Sequence, residues 1–209
     1  MTTRDRKVVY VVDDDRAVRD SLHLMLATAG YSVRTFASAA EFLGERDPDE
    51  VACLILDVRM PGQSGLELQD ILSRTGARLP TIFVSGHGDV PTSVRAMKGG
   101  ALDFLEKPFS RQTLLERVEE AIAIAEQERS SRRGREALLD RFETLTPRER
   151  EVLKHVIAGR QNKEIARLLA ISHRTVELHR THMMDKMAAR SLPHLMSMAV
   201  RCGIHQISD

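Results

Sequence analysis

Four apolar runs in the first half of this chain each lead into a residue with reactive chemistry. Residues 8–12 run into Asp13, Asp14 and Asp15, and residues 51–56 into Asp57. Residues 81–84 run into Ser85, and 102–105 lead to Lys107 and Pro108. Apolar runs of this length between polar helical stretches are the pattern of strands buried on both faces of a parallel sheet. In such sheets ligands bind at the carboxyl ends of the strands. Three acids (Asp13, Asp14 and Asp57), one hydroxyl and one amine are therefore expected to converge on one edge.

The spacing predicts strands at 7–12, 31–36, 51–57, 80–85 and 102–105. Helical patterns lie between them at 15–29, 38–46, 64–75 and 90–99. A fifth helix starts near Ser110, a fitting N-cap. Gly30, Gly76 and Gly99-Gly100 stand where helices should stop. Five βα units give a doubly wound α/β fold, a five-stranded parallel sheet with helices on both faces. In the fifth helix Leu114, Leu115, Val118, Ile122 and Ala125 recur at helical spacing. The segment 124–141 then turns polar and reads as a linker or a helical extension.

Beyond it no strand pattern appears. Thr146 precedes Pro147, with Glu149 three residues on: an N-cap, a proline at the first helical position and a capping-box spacing. Helices are expected at 147–158, 162–169, 173–187 and from Ser191 to about 201. A short helix, a turn at 170–172 and a longer helix form a helix-turn-helix. Ile165, Leu168 and Leu169 should pack the short helix. Val176, Met183, Met184 and Met187 should pack the long one, as core and not as ligands.

The 209 residues suffice for two modest domains, and no apolar run approaches a membrane span. The N-terminus lacks an apolar signal core, so a cytoplasmic protein is expected. Cys53 and Cys202 are far apart in apolar surroundings and read as reduced, buried thiols. Residues 1–125 carry 15 Lys/Arg against 19 Asp/Glu, and residues 141–209 carry 12 against 7. An acidic front and a basic back suit a second unit that meets a polyanion.

Asp13, Asp14 and Asp57 at adjacent strand ends would repel one another. Two carboxylates about 4 Å apart cost roughly 4 kcal/mol at an effective dielectric of 20. A divalent cation removes that cost, and an oxygen-only site that retains waters suits Mg²⁺. One carboxylate can then attack a phosphoryl group to give an aspartyl-phosphate. Lys107 offers a fixed charge, and Ser85 a hydroxyl, to the phosphoryl oxygens. Asp15, ahead of Arg16, reads as a helix cap.

The segments VVYVVDDD, LILDVRMPGQSGLEL, IFVSGHGD and GALDFLEKPF resemble a response-regulator receiver domain of the two-component type. The resemblance implies strand order 2-1-3-4-5, with phosphorylation at Asp57 by a sensor histidine kinase. It implies Mg²⁺ held by Asp14, Asp57 and the carbonyl of Arg59, with Asp13 bound directly or through water. Ser85 and Phe104 take the switch positions beside Lys107, and the Lys107–Pro108 bond is expected to be cis. Phosphorylation adds about −1.5 to −2 charge. Drawing Ser85 and Lys107 inward then leaves room for Phe104 to turn in, a two-state equilibrium biased by a local charge.

The segments LTPREREVL, NKEIARLLAIS and RTVELHRTHMMDKM resemble the LuxR-type helix-turn-helix of NarL/FixJ regulators, and with SGHGDVP and SLPHL the FixJ branch. The resemblance implies that Glu177, Leu178 and Thr181 face base edges, beside Arg174. Asn162, Lys163, Thr175, His179, Arg180 and Lys186 are assigned to phosphates, which position without specifying. The histidines here, from His155 to His205, lack the framework of a zinc site. Leu192, Leu195, Met196 and Ala199 on the last helix are assigned to a dimer interface, favouring two half-sites.

The organisation expected is a receiver at 1–123, a linker at 124–141 and a DNA-binding domain at 142–207. The function expected is a phosphorylation-activated transcriptional regulator that binds promoter DNA as a dimer. It is not an enzyme, and RNA polymerase is a further candidate partner. A signalling enzyme is disfavoured because residues 126–209 hold no catalytic cluster. A phosphorylation-independent DNA-binding protein is disfavoured by the intact acids, Ser85 and Lys107.

Overall fold

The computed structural model describes residues 7–77, 79–86 and 90–203. Residues 87–89 of the SGHGDVP motif, His205 and the 204–207 end of the expected second domain lie outside the described residues. The chain divides into two compact units, Met1–Ser130 and Ser131–Asp209.

The first unit alternates as its sequence predicts. It runs β1 (Lys7–Val12), α1 (Arg16–Thr28), β2 (Ser32–Phe36), α2 (Ala39–Glu45), β3 (Val51–Asp57), α3 (Gly65–Arg74), β4 (Thr81–Ser85), α4 (Val90–Lys98), β5 (Asp103–Glu106) and the start of α5 (Arg111–Glu143). All strand pairs are parallel, in the order β2-β1-β3-β4-β5. The period of two along a strand sends alternate residues to opposite faces. In β3, Ala52, Leu54 and Leu56 enter one core, and Val51, Cys53 and Ile55 the other. Both faces are covered, so β3 is buried end to end. Each fully buried Leu or Ile there contributes about 1.5–3 kcal/mol relative to exposure.

Helix starts follow the sequence. Asp15 caps α1, its carboxylate accepting from the Ala17 amide at 2.8 Å. Ser64 and Glu67 form a capping box on α3, and Ser110 accepts from the Thr113 amide at the start of α5. Cys53 and Cys202 are both free and buried.

Two glycines make close approaches. A Cβ on Gly65 would lie 2.1 Å from the carbonyl oxygen of Asp57. A Cβ on Gly99 would lie 2.5 Å from Oε1 of Gln69. Gln69 is buried and donates to the Ala96 carbonyl at 3.0 Å, tying α3 to the last turn of α4.

α5 is one helix of 33 residues, so the segment 124–141 is helical throughout. In the second unit Leu138 packs with Met198, Ala199 and Cys202, which brings part of that segment into this unit's core. The unit continues with α6 (Pro147–Ile157), α7 (Asn162–Leu168), α8 (His173–Lys186) and α9 (Leu192–Arg201). The expected capping box at Thr146 and Glu149, with proline at the helix start, is present. The turn between α7 and α8 contains Ala170 at φ 52°, and Ala188 follows α8 at φ 50°. Neither is a glycine, so each carries an unfavourable left-handed backbone of roughly 1–2 kcal/mol.

Two expectations for the second unit are corrected. Leu168 does not pack α7 but stands 52% exposed, because Ile165 and partly Leu169 fill that side of the core. Leu195 and Ala199 cannot form an intermolecular face, since they are 0% and 1% exposed inside their own unit. The helical period puts Leu195, Met198, Ala199 and Cys202 inward and leaves Leu192, Met196 and Val200 exposed, four residues apart. Val176, Met183 and Met187 are core as expected, and Met184, partly buried, packs against the same core.

Candidate functional site

The strand order makes β1 and β3 neighbours, with Val12 opposite Leu56. Asp13 and Asp57 thus leave adjacent strands at the switch point of the sheet. β4 and β5 follow, bringing Ser85 opposite Glu106 just before Lys107. The Lys107 amide donates to the Ser85 carbonyl at 2.8 Å, and the Lys107–Pro108 bond is cis.

Lys107 reaches across to both acids. Its Nζ lies 2.8 Å from Asp13 Oδ2 and 2.9 Å from Asp57 Oδ1. The remaining oxygens are also held: Asp13 Oδ1 accepts from the Asp15 amide at 2.9 Å, and Asp57 Oδ2 from the Arg59 amide at 2.7 Å. Arg19 donates to the Asp13 carbonyl at 2.7 Å. Asp13, Asp57 and Ser85 are buried, while Asp14 and Arg59 stand exposed at the rim. Phe104 is half-buried, its ring stacked on Phe83 with centroids 6.3 Å apart.

Burial raises the Asp57 pKa above the ordinary carboxylate value of 3.8, against the lowering effect of hydrogen bonds and charge from Lys107. The Asp13 charge adds to the rise. Burial acts to lower the Lys107 pKa, but hydrogen bonds to the two carboxylates outweigh it and hold the amine above its ordinary value. Among the described residues no three carboxylates, imidazoles or thiols converge as a metal cage. Lys107 bridges Asp13 and Asp57, and the next residue along from Asp13, Asp14, stands exposed.

In the second unit α8 presents two faces. Val176, Met183 and Met187 face the core. Arg174, Glu177, Leu178 and Thr181 are exposed, Leu178 at 53%. Ser172 caps the helix by accepting from the Thr175 amide at 3.0 Å, and Thr175 is half-buried. Glu177 lies 3.6 Å from His173 Nδ1, and Thr181 donates its hydroxyl to the Glu177 carbonyl. Arg180 donates to Asn162 Oδ1 at 3.0 Å, so one expected phosphate contact on α8 braces another on α7. Lys163 is exposed and His179 half-buried.

Lys186 departs from its expected surroundings. Its Nζ lies 2.7 Å from Oε2 of Glu149, which is 3% exposed. Burial pushes the Glu149 carboxyl up, but hydrogen bonds from Lys186 and Thr146 outweigh it and hold it below the ordinary range. The sequence marks Glu149 as a cap, but no local spacing reveals a partner 37 residues away.

Known proteins share both halves of this arrangement. The response regulator receiver domain matches residues 9–119, and the bacterial regulatory proteins of the luxR family match residues 143–199. Nodulation protein W of Bradyrhizobium diazoefficiens is 46% identical over 199 residues, covering 95% of this chain and 88% of its own. The transcriptional regulatory protein FixJ of the same organism is 44% identical and covers 98% of both chains. The solved structure of the response regulator StyR is 43% identical, with a TM-score of 0.84 over 94% of this chain and 99% of that one. The chain belongs to the NarL/FixJ family of two-component response regulators, a receiver domain followed by a LuxR-type DNA-binding domain.

Proposed function

We propose that Asp57 accepts a phosphoryl group from a sensor histidine kinase and that this modification raises the affinity of the chain for promoter DNA. The observation that carries the reading is the buried Asp57 carboxylate at the end of β3, 2.9 Å from Lys107 and beside Asp13. An Asp57 oxygen attacks phosphorus. The bond from phosphorus to the histidine nitrogen of the donor breaks, and its electron pair stays on that nitrogen, which then takes up a proton.

Oxygen donors and two buried acids fit Mg²⁺, which needs only one or two carboxylates and keeps its waters. Asp13, Asp14, Asp57 and the Arg59 carbonyl would hold it. Bound there, Mg²⁺ supplies positive charge to phosphoryl oxygens. Lys107 needs only a small shift from the two carboxylates to meet a phosphoryl oxygen, and Ser85 adds a hydroxyl donor from the next strand. The backbone bond from Lys107 to Ser85 couples their movements. Phe104, half-buried on Phe83, turns further inward as Ser85 moves. The chemistry is a single modification of the chain itself, not turnover of a substrate.

On DNA, α8 enters the major groove, with Glu177, Leu178 and Thr181 at base edges. Arg174, Arg180, Asn162, Lys163, Thr175 and His179 meet the phosphates. Leu192, Met196 and Val200 pair two copies through α9 over two half-sites. RNA polymerase is the partner at the promoter, and the site of action is the cytoplasm. A small-molecule phosphodonor with Mg²⁺ should raise promoter affinity for the wild-type chain but not for Asp57→Asn. Equal affinities with and without the donor would refute the reading.

A further inference from the structure

We propose that Lys186 is a positioning residue for the recognition helix and not a phosphate contact: with Glu149 it forms a strut that seats α8 against α6. The inference rests on the DNA-binding role of α8.

Glu149 is held by its own helix start independently of the lysine. It sits in the first turn of α6, where its Oε2 accepts from the Thr146 amide at 2.8 Å and its own amide donates to Thr146 Oγ1 at 3.3 Å. The carboxylate is nearly sealed from water, with its side chain 4% exposed. A buried charge needs a partner and is costly without one. Lys186, the last residue of α8, supplies that partner at 2.7 Å on the same Oε2. One turn earlier, His182 Nδ1 lies 3.9 Å from Oε1. Two successive turns of α8 therefore lean on one immobile carboxylate.

Direction around the helix separates Lys186 from two base-reading positions but not from Thr175 and His179, each within about 20° of it, so the strut rests on the Glu149 contact. At about 100° per residue, Lys186 projects roughly 180° from Glu177 and roughly 140° from Thr181 around the helix. It leaves α8 on the side away from those two proposed base-reading side chains. Its charge is spent on holding the C-terminal end of the helix, and the tilt of α8 sets where Glu177 and Thr181 fall.

The test uses the full chain treated with phosphodonor. Two probes are compared: a duplex that the wild-type chain selects from a random-sequence pool, and poly(dI-dC). Failure of the wild type to select any sequence would refute the DNA-binding reading itself. For Lys186→Ala, affinity for the selected duplex should fall on the order of tenfold, with a much smaller change on poly(dI-dC) and an unchanged salt slope. Lys186→Arg should restore most of the preference. Equal losses on both probes, with the salt slope shallower by about one unit, would make Lys186 a phosphate contact and overturn the strut. No loss on either probe would overturn it too. If Lys186→Ala fails to fold by circular dichroism, Glu149→Gln decides, because it keeps the side-chain shape and drops the charge. A lowered preference with normal helicity supports the strut, and a wild-type preference overturns it.

Discussion

Lys107 stands 2.9 Å from Asp57, yet the aspartate is harder to ionise than a free one. Burial outweighs the attraction of the lysine. The folded protein thus holds this proton more tightly than the unfolded chain does. The ionised group reduces stability above its folded pKa, and that penalty fades as pH falls toward 3.8. Asp57→Asn should therefore melt higher than wild type at pH 7, by a few degrees, with the gap closing on acidification. Labelling by a phosphodonor needs the anion, so its rate should begin to fall at a higher pH than for an unperturbed aspartate. Melting curves and intact-mass labelling across pH 4 to 8 check both statements. A lower melting temperature for Asp57→Asn at pH 7 would contradict them.

The two tight glycines separate by what they touch. Gly99→Ala meets the end of a side chain, and overpacking of that kind costs about 1–3 kcal/mol. Shortening the neighbour in Gly99→Ala/Gln69→Ala should recover part of it. Gly65→Ala meets the Asp57 backbone, which cannot step aside. It should be the more damaging of the two, and it should also slow phosphorylation by moving the acceptor. Denaturant unfolding and labelling rates report each effect. Equal costs for the two alanines would count against this ranking.

Arg180 is braced by Asn162 at 3.0 Å, so its guanidinium is pre-oriented for a phosphate. Arg180→Ala should weaken binding to all sequences alike and flatten the salt slope by about one unit. Leu178→Ala should instead alter base preference at one position, by roughly 1–3 kcal/mol in discrimination. Binding isotherms at several salt concentrations, on matched and mismatched duplexes, distinguish the two. A Leu178→Ala variant with unaltered preference would remove it from the base-reading set.

Within α9, Val200 is 60% exposed and Leu195 is fully buried. Val200→Asp should leave the melting temperature nearly unchanged while shifting the phosphorylated chain toward monomer in sedimentation. Leu195→Asp places an unpaired charge in the core and should unfold the second unit, at a cost above about 4 kcal/mol. A dimer that survives Val200→Asp would move the pairing surface elsewhere.

The α/β layer and the sheet edge that gathers Asp13, Asp57, Ser85 and Lys107 were legible because buried strands, glycine stops and caps are local signals. Asp15, Ser110 and the Thr146–Glu149 box all stand where spacing put them. What sequence could not supply was pairing at long range. Nothing near Lys186 points to Glu149, and nothing near Gln69 points to Gly99. Leu195 and Ala199 went to the wrong face because an apolar helix with two apolar sides does not declare which one meets its own core. Ala170 gave no sign of a left-handed turn, since glycine or asparagine is the usual mark.

The fit of Gly99 under the amide of Gln69 also constrains how these sequences drift. A side chain gained at the first position demands one lost at the second, so the two should change as a pair among relatives. Where the glutamine is absent, the link it makes to the Ala96 carbonyl goes with it.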